Sequence, residues 1–281
     1  MLGETKLFNI FTMYHLLNYD ELIYNHINKL EEKKKKEFND FLIKKGITNR
    51  KTDNILVSSD YEQEYVYFFS QRNLPLILSK KNKELFENLC KKIKFISEND
   101  NPILMKNPYD FPNFLYIKKI FPEAKFVFIH RNPLEVISST MRLWQTRLKN
   151  KDEFTVLYSK QYEKAYNNKL SLFLMRLYYA SFFPFGIFEV IWRCRKGCKY
   201  YLKNIKCLSK EDFISIKYED LCAGPNNVIG NILEFLNLKS DMDFSSFVKP
   251  RKLSLTREVR FMKKFIYYML KPYFEYFEYN I

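Results

Sequence analysis

Residues 125–135 read Lys125-Phe126-Val127-Phe128-Ile129-His130-Arg131-Asn132-Pro133-Leu134-Glu135. The first six form a continuous run, apolar from Phe126 to Ile129 without polar alternation, the pattern of a strand buried on both faces of a parallel sheet. Asn132, Pro133 and Glu135 then read as the N-cap, first residue and capping-box partner of a helix reaching about Leu148. Arg131 therefore stands at a helix N-terminus. Backbone N–H groups, the positive end of the helix dipole and a guanidinium converge there, which suits a phosphate. Ser139 follows Asn132 by seven residues, two turns along the same face and on the order of 10 Å away. An anion held by Arg131 has the Ser139 hydroxyl within reach.

Outward from this stretch the same texture repeats. Ile103-Leu104-Met105-Lys106 is a short strand-like run, and Pro112 to Phe121 reads as a helix. Asp212 to Lys217 is again strand-like, and Pro225 to Leu236 helical. Unalternating strands each followed by a helix predict an α/β fold of three layers, α/β/α, around a central parallel sheet. Ligands in such folds sit at the carboxyl ends of the strands, so Arg131 and its neighbours are read first. Nearer the N-terminus, Asp20 to Lys45 reads as a helix around the Lys33–Lys36 run, stopped by Gly46. Ser79 to Ile96 reads as another, with Leu85, Leu89 and Ile93 at four-residue spacing. No repeat interrupts this even texture, which predicts one domain over 1–281.

The chain has 281 residues, 47% of them hydrophobic and 28% charged, enough for an ordinary core. That excludes a disordered tail and a disulfide-stapled miniprotein. A formal net charge of +15 favours polyanionic partners: nucleic acid, an anionic membrane surface or a phosphorylated small molecule. Part of the basicity matches the abundance of Lys, Asn, Ile, Phe and Tyr, which share A/T-rich codons. The basic residues are scattered without a compact nucleic-acid motif, so no nucleic-acid partner is expected. Cys90, Cys194, Cys198, Cys207 and Cys222 are odd in number and unevenly spaced, so they imply no disulfide framework. With only His15, His26 and His130 far away, they imply no structural zinc either. The N-terminus lacks the pattern of a signal peptide, and a reducing, cytoplasmic compartment is expected. The apolar stretch Leu172 to Trp192 carries Arg176, Pro184 and Glu189 and reads as buried or interfacial rather than spanning. Arg257 to Tyr279 alternates aromatic with basic residues, as in a helix docked on its own core or lying on anionic lipid.

Four motifs resemble those of sulfotransferases that use 3′-phosphoadenylyl sulfate. They are Lys106-Asn107-Pro108-Tyr109, the run Ile120 to Val127, His130-Arg131-Asn132-Pro133 with Ser139, and Lys217-Tyr218-Glu219-Asp220-Leu221. Their order and spacing are most similar to the branch holding tyrosylprotein and bacterial carbohydrate sulfotransferases. The resemblance implies a P-loop-NTPase-like fold with donor-binding core segments at 100–145 and 210–240. It leaves 20–98 as a helical acceptor-side insertion and 257–281 as a C-terminal helix. It also implies that Arg131 and Ser139 bind the donor's 3′-phosphate, with Tyr218 near the adenine and phosphate. The implied reaction moves a sulfuryl group from the donor to a hydroxyl of a carbohydrate, glycolipid or tyrosyl acceptor, with no metal.

Such a transfer requires positioning of both oxygens, stabilisation of the leaving phosphate and removal of the acceptor proton. By the resemblance Lys106 takes the second task. The base is Glu4, in a Gly3-Glu4 segment like that of the tyrosylprotein branch, or Asp110, near where carbohydrate-directed relatives carry a His. Relatives also cradle the 5′-phosphosulfate in a glycine-rich loop. None of the six glycines here stands in such a loop, which predicts that the first strand and loop are missing. The alternative expectation is a truncated or degenerate member acting as an anion-binding or peripheral membrane-surface protein.

Overall fold

A computed structural model describes residues 1–50, 56–248 and 254–280. From the N-terminus run β1 (Asn9–Ile10), α1 (Met13–Leu17), α2 (Leu22–Ile27), α3 (Glu31–Lys44), α4 (Tyr65–Gln71), α5 (Lys83–Ser97) and β2 (Ile103–Leu104). Then come α6 (Phe114–Ile120), β3 (Phe126–His130), α7 (Pro133–Lys149), α8 (Glu153–Tyr158), α9 (Lys160–Asn167), α10 (Lys169–Ala180) and α11 (Gly186–Asn204). The chain closes with β4 (Phe213–Lys217), α12 (Tyr218–Ala223), α13 (Pro225–Phe235), α14 (Arg257–Phe261) and α15 (Lys263–Tyr276). The fold is mixed α/β, mostly helical, with parallel strands, as the alternation of apolar runs and helices predicts. The described strands form two pairs, β1 with β2 and β3 with β4. By contacts the chain gathers into two compact units, Met1–Asp110 with Asp152–Lys164 and Phe111–Lys151 with Ala165–Ile281.

In the first unit β1 pairs with β2 in register Asn9↔Ile103 and Ile10↔Leu104. α5 buries Phe86, Leu89 and Ile93, three and four residues apart and so on one face. Phe86 meets Tyr65 and Phe69 of α4, with ring centroids 4.6 and 6.0 Å away. This helix begins at Lys83, later than the pattern predicts. The preceding turn is tied by Asn82, whose Oδ1 accepts from the Ser79 N–H at 2.7 Å.

The predicted helix over 20–45 is two helices. Lys29 adopts a left-handed φ of 54°. The Leu30 N–H donates to the Asn25 carbonyl (2.8 Å) and the Lys29 N–H to that of His26 (3.0 Å). This is a Schellman stop with lysine where glycine is usual, which is why composition did not reveal it. The same motif closes α3, with Gly46 at φ 67° as predicted. The Lys33–Lys36 run is not wholly solvated: Lys35 bridges Glu31 and Asp60, each at 3.0 Å.

In the second unit β3 and β4 pair over five positions, from Phe126↔Phe213 to His130↔Lys217. α7 buries Leu134, Ile137 and Met141 in one core with Ile187, Val190 and Ile191 of α11 and Ile266 and Leu270 of α15. Phe128 points into that core and packs against Phe114 (5.2 Å) and Tyr201 (5.3 Å). The unbroken apolar run predicts burial on both faces, but Ile129 is 53% exposed, so β3 alternates. The segment 257–281 comprises α14 and α15, broken at Met262, with Ile281 outside the described residues.

Candidate functional site

Arg131 follows β3 and precedes α7, at the carboxyl end of the parallel pair, one residue past the His130↔Lys217 register. Pro133 stands at the first helical position and Asn132 caps α7, its Oδ1 accepting from the Leu134 N–H at 3.0 Å. The second half of the predicted capping box is replaced. Glu135 turns to Arg131, whose Nε donates to Glu135 Oε2 at 2.8 Å. The Asn132 N–H is taken instead by Glu219 Oε1 of α12 at 3.1 Å. Sequence reading missed Glu219 as the cap's partner, although it lies within the Lys217–Leu221 motif. The guanidinium of Arg131 lies over the Tyr218 ring, 4.3 Å from its centroid. Two predicted residues of one site, 87 positions apart, are thus in contact.

Ser139 is exposed on the second turn of α7, whereas its neighbour Ser138 is buried and accepts from the Thr256 N–H at 3.0 Å. The chain's C-terminal end closes over the turn: Asn132 Nδ2 donates to the Asn280 carbonyl (2.9 Å) and Lys217 lies over the Tyr279 ring (5.8 Å). Sequence analysis missed this cover. His130 is fully enclosed, shares a 2.7 Å hydrogen bond with the Tyr273 hydroxyl and stacks on Phe277 at 4.0 Å. Burial pulls its imidazole down to about 3, so it is neutral at pH 7 and adds no charge beside Arg131. Arg131 and Lys217 bring positive charge to this strand end.

In the first unit Lys106 follows β2 and its ammonium lies 3.1 Å from Glu64 Oε1. Burial alone would lower its pKa, but the Glu64 charge and hydrogen bond, helped by Glu62, hold it above the ordinary lysine value. Glu62 and Glu64 were not singled out in the sequence. They flank buried Gln63 in a Tyr61–Tyr65 segment whose alternation is the only signal that they point together.

Asp110 is 5% exposed and surrounded by donors. Its oxygens accept from the Tyr65 hydroxyl (2.6 Å), Asn107 Nδ2 (2.8 Å) and the Leu78 N–H (3.0 Å). Burial and then the Asp110 charge push the Tyr65 phenol well above its ordinary value, so it donates rather than ionises. Asp110 thereby ties the Lys106–Tyr109 turn to α4 and to the segment before α5. Glu4, by contrast, is exposed in a single 3₁₀ turn, Leu2–Thr5. The glycines stand at helix interiors and ends, none of them in a strand-to-helix turn.

Among solved structures, the chain resembles a sulfotransferase (STF9) from Mycobacterium avium with a TM-score of 0.54 at 15% identity. The alignment covers 79% of this chain and 58% of that one, so this chain spans less than two thirds of that structure. A sulfotransferase from Alicyclobacillus acidocaldarius aligns over 78% of this chain and 85% of its own, at 11% identity and a TM-score of 0.43. No curated protein matches. The first likeness establishes the fold alone. A family profile described as "Sulfotransferase family" matches residues 21–183, more than half of the sequence and including Lys106, Arg131 and Ser139, so the chain belongs to the sulfotransferase family.

Proposed function

We propose that this protein transfers a sulfuryl group from 3′-phosphoadenylyl sulfate to a hydroxyl of a carbohydrate, glycolipid or tyrosyl acceptor. The observation that carries the reading is the Arg131 turn. A guanidinium stacked on Tyr218 stands at the capped N-terminus of a 17-residue helix, at the carboxyl end of parallel strands. Arg131, at the positive end of the α7 dipole, holds the 3′-phosphate, Ser139 adds a hydroxyl from the second turn of α7, and Tyr218 borders the adenine. Lys106, whose ammonium is paired with Glu64, neutralises the leaving 5′-phosphate. The acceptor hydroxyl gives its proton to Glu4, whose carboxylate is accessible; Asp110, saturated by donors, holds the Lys106 turn in place. The S–O bond to the acceptor forms as the bond to the phosphate breaks, yielding a sulfate ester, adenosine 3′,5′-bisphosphate and a proton. All five cysteines are free thiols, which supports a reducing, cytoplasmic setting.

The test is to incubate the protein with sulfur-labelled donor and a panel of carbohydrate, glycolipid and tyrosyl acceptors. Labelled ester should appear in equal amount to adenosine 3′,5′-bisphosphate. Lys106→Ala should lower turnover by about 10²–10³, the cost of one preorganised donor. No transfer to any acceptor class overturns the catalytic reading.

A further inference from the structure

The second unit carries an apolar surface that its own core does not use. α10 exposes Leu170, Phe173, Leu174 and Leu177, spaced three and four apart, so one complete face of the helix is apolar and turned to solvent. The turn after it exposes Phe182 (83%) and Phe185 (62%), and α11 adds Phe188 and Trp192 (59%). Ring contacts join this turn to the C-terminal helices: Phe183 meets Phe261 at 6.2 Å and Phe188 meets Phe265 at 6.3 Å. Phe261 itself is 79% exposed and Tyr268 78%. Scattered exposed apolar residues need no explanation, but an aromatic patch joined through the 183–185 turn, α11, α14 and α15 does.

The charge around the patch has one sign. Residues 170–204 hold six basic side chains and one acidic, and residues 256–280 hold five basic and three acidic. Three of those four acids are already engaged or enclosed. Glu189 accepts from the Tyr179 hydroxyl (2.8 Å), Glu258 is 6% exposed and bonded to Gln145, and Glu275 faces Lys271. Arg257 fixes the exposed tip, stacking over the Phe182 ring at 4.0 Å and donating to the Phe182 carbonyl. Beside Trp192, α11 presents a groove of about 430 Å³ lined by Arg195, Lys196, Lys199 and Lys203. Among the described residues no helix is long and apolar enough to cross a membrane.

Aromatic side chains projecting from a turn, an outward apolar helix face and flanking cations are the chemistry of a surface that enters the headgroup layer of an anionic bilayer. We infer that α10, the 181–185 turn and the α11 and α14–α15 faces dock this protein onto an anionic lipid surface. Phe182, Phe185 and Trp192 enter the acyl boundary, and the basic groove and Arg260, Lys263 and Lys264 meet lipid phosphates.

Flotation of the full chain with vesicles tests this, using phosphatidylcholine alone and phosphatidylcholine mixed with phosphatidylglycerol. Binding should require the anionic lipid and fall severalfold between about 0.1 M and about 0.5 M salt, as screening shortens the reach of the charges. Phe182→Ser with Phe185→Ser should cut the bound fraction about tenfold or more, and Lys263→Glu with Lys264→Glu severalfold. Circular dichroism melting of both variants should match the wild type, since all four residues lie at the surface. The chain has two tryptophans, so Trp144→Phe leaves Trp192 as the sole reporter. Its emission should shift blue on anionic vesicles and be quenched by brominated lipid. No flotation with any vesicle overturns the inference, as does a vesicle-independent dimer that the Phe182→Ser, Phe185→Ser variant dissociates.

Discussion

Arg131 is held by two neighbours of different kinds, the Glu135 carboxylate at 2.8 Å and the Tyr218 ring at 4.3 Å. The carboxylate competes for the charge that a phosphate would use, and the ring does not. Glu135→Gln should therefore raise affinity for adenosine 3′,5′-bisphosphate, by about two- to fivefold for a partly exposed pair, as calorimetric titration would show. Asp110 illustrates the opposite case, a carboxylate of motif-like position that serves the scaffold. Asp110→Asn turns an amide N–H towards the Tyr65 and Leu78 donors and should destabilise the protein by about 1–3 kcal/mol in urea unfolding. If unfolding is unchanged and only transfer is lost, Asp110 is the base and Glu4 is not.

Elements were legible where a periodic face met an ordinary cap. β3 and α7 fall within a residue of the pattern, because Pro133 and Asn132 announce the helix start chemically. Three features were not legible. The break between α2 and α3 rests on Lys29 in a left-handed conformation, which no residue type signals. Lys29→Gly keeps the stop and removes the strain of a Cβ there, so it should stabilise the protein by about 1 kcal/mol, read from the urea midpoint. Glu219 as partner of the Asn132 N–H and Glu64 as partner of Lys106 depend on pairings across 87 and 42 residues, which spacing along the chain does not encode. The outward apolar face of α10 was the third. Periodicity locates an apolar face, but whether anything covers it is a property of the packing.

For the whole molecule, two compact units carry the two halves of the motif set, Lys106 in one and Arg131 and Tyr218 in the other. The buried imidazole of His130 links the second unit's stability to pH. Its pKa falls to about 3 in the folded state against about 6.5 when unfolded, so the unfolded chain binds more protons between those values. Stability is therefore full above about pH 6.5 and should decline as pH falls towards 3, by at most about 1.4 kcal/mol per pH unit from this group. His130→Asn should flatten that slope in urea unfolding at pH 4–7, whereas an unchanged slope assigns it to other groups. The proposed reaction requires the Arg131 turn to bind the donor's 3′-phosphate end. Calorimetric titration of adenosine 3′,5′-bisphosphate into wild type, Arg131→Ala and Ser139→Ala tests it directly. A charge-assisted hydrogen bond is worth about 1.5–3 kcal/mol, so Arg131→Ala should weaken binding roughly ten- to a hundredfold and Ser139→Ala by less. Equal affinity in all three proteins, or no binding by the wild type, would contradict the account.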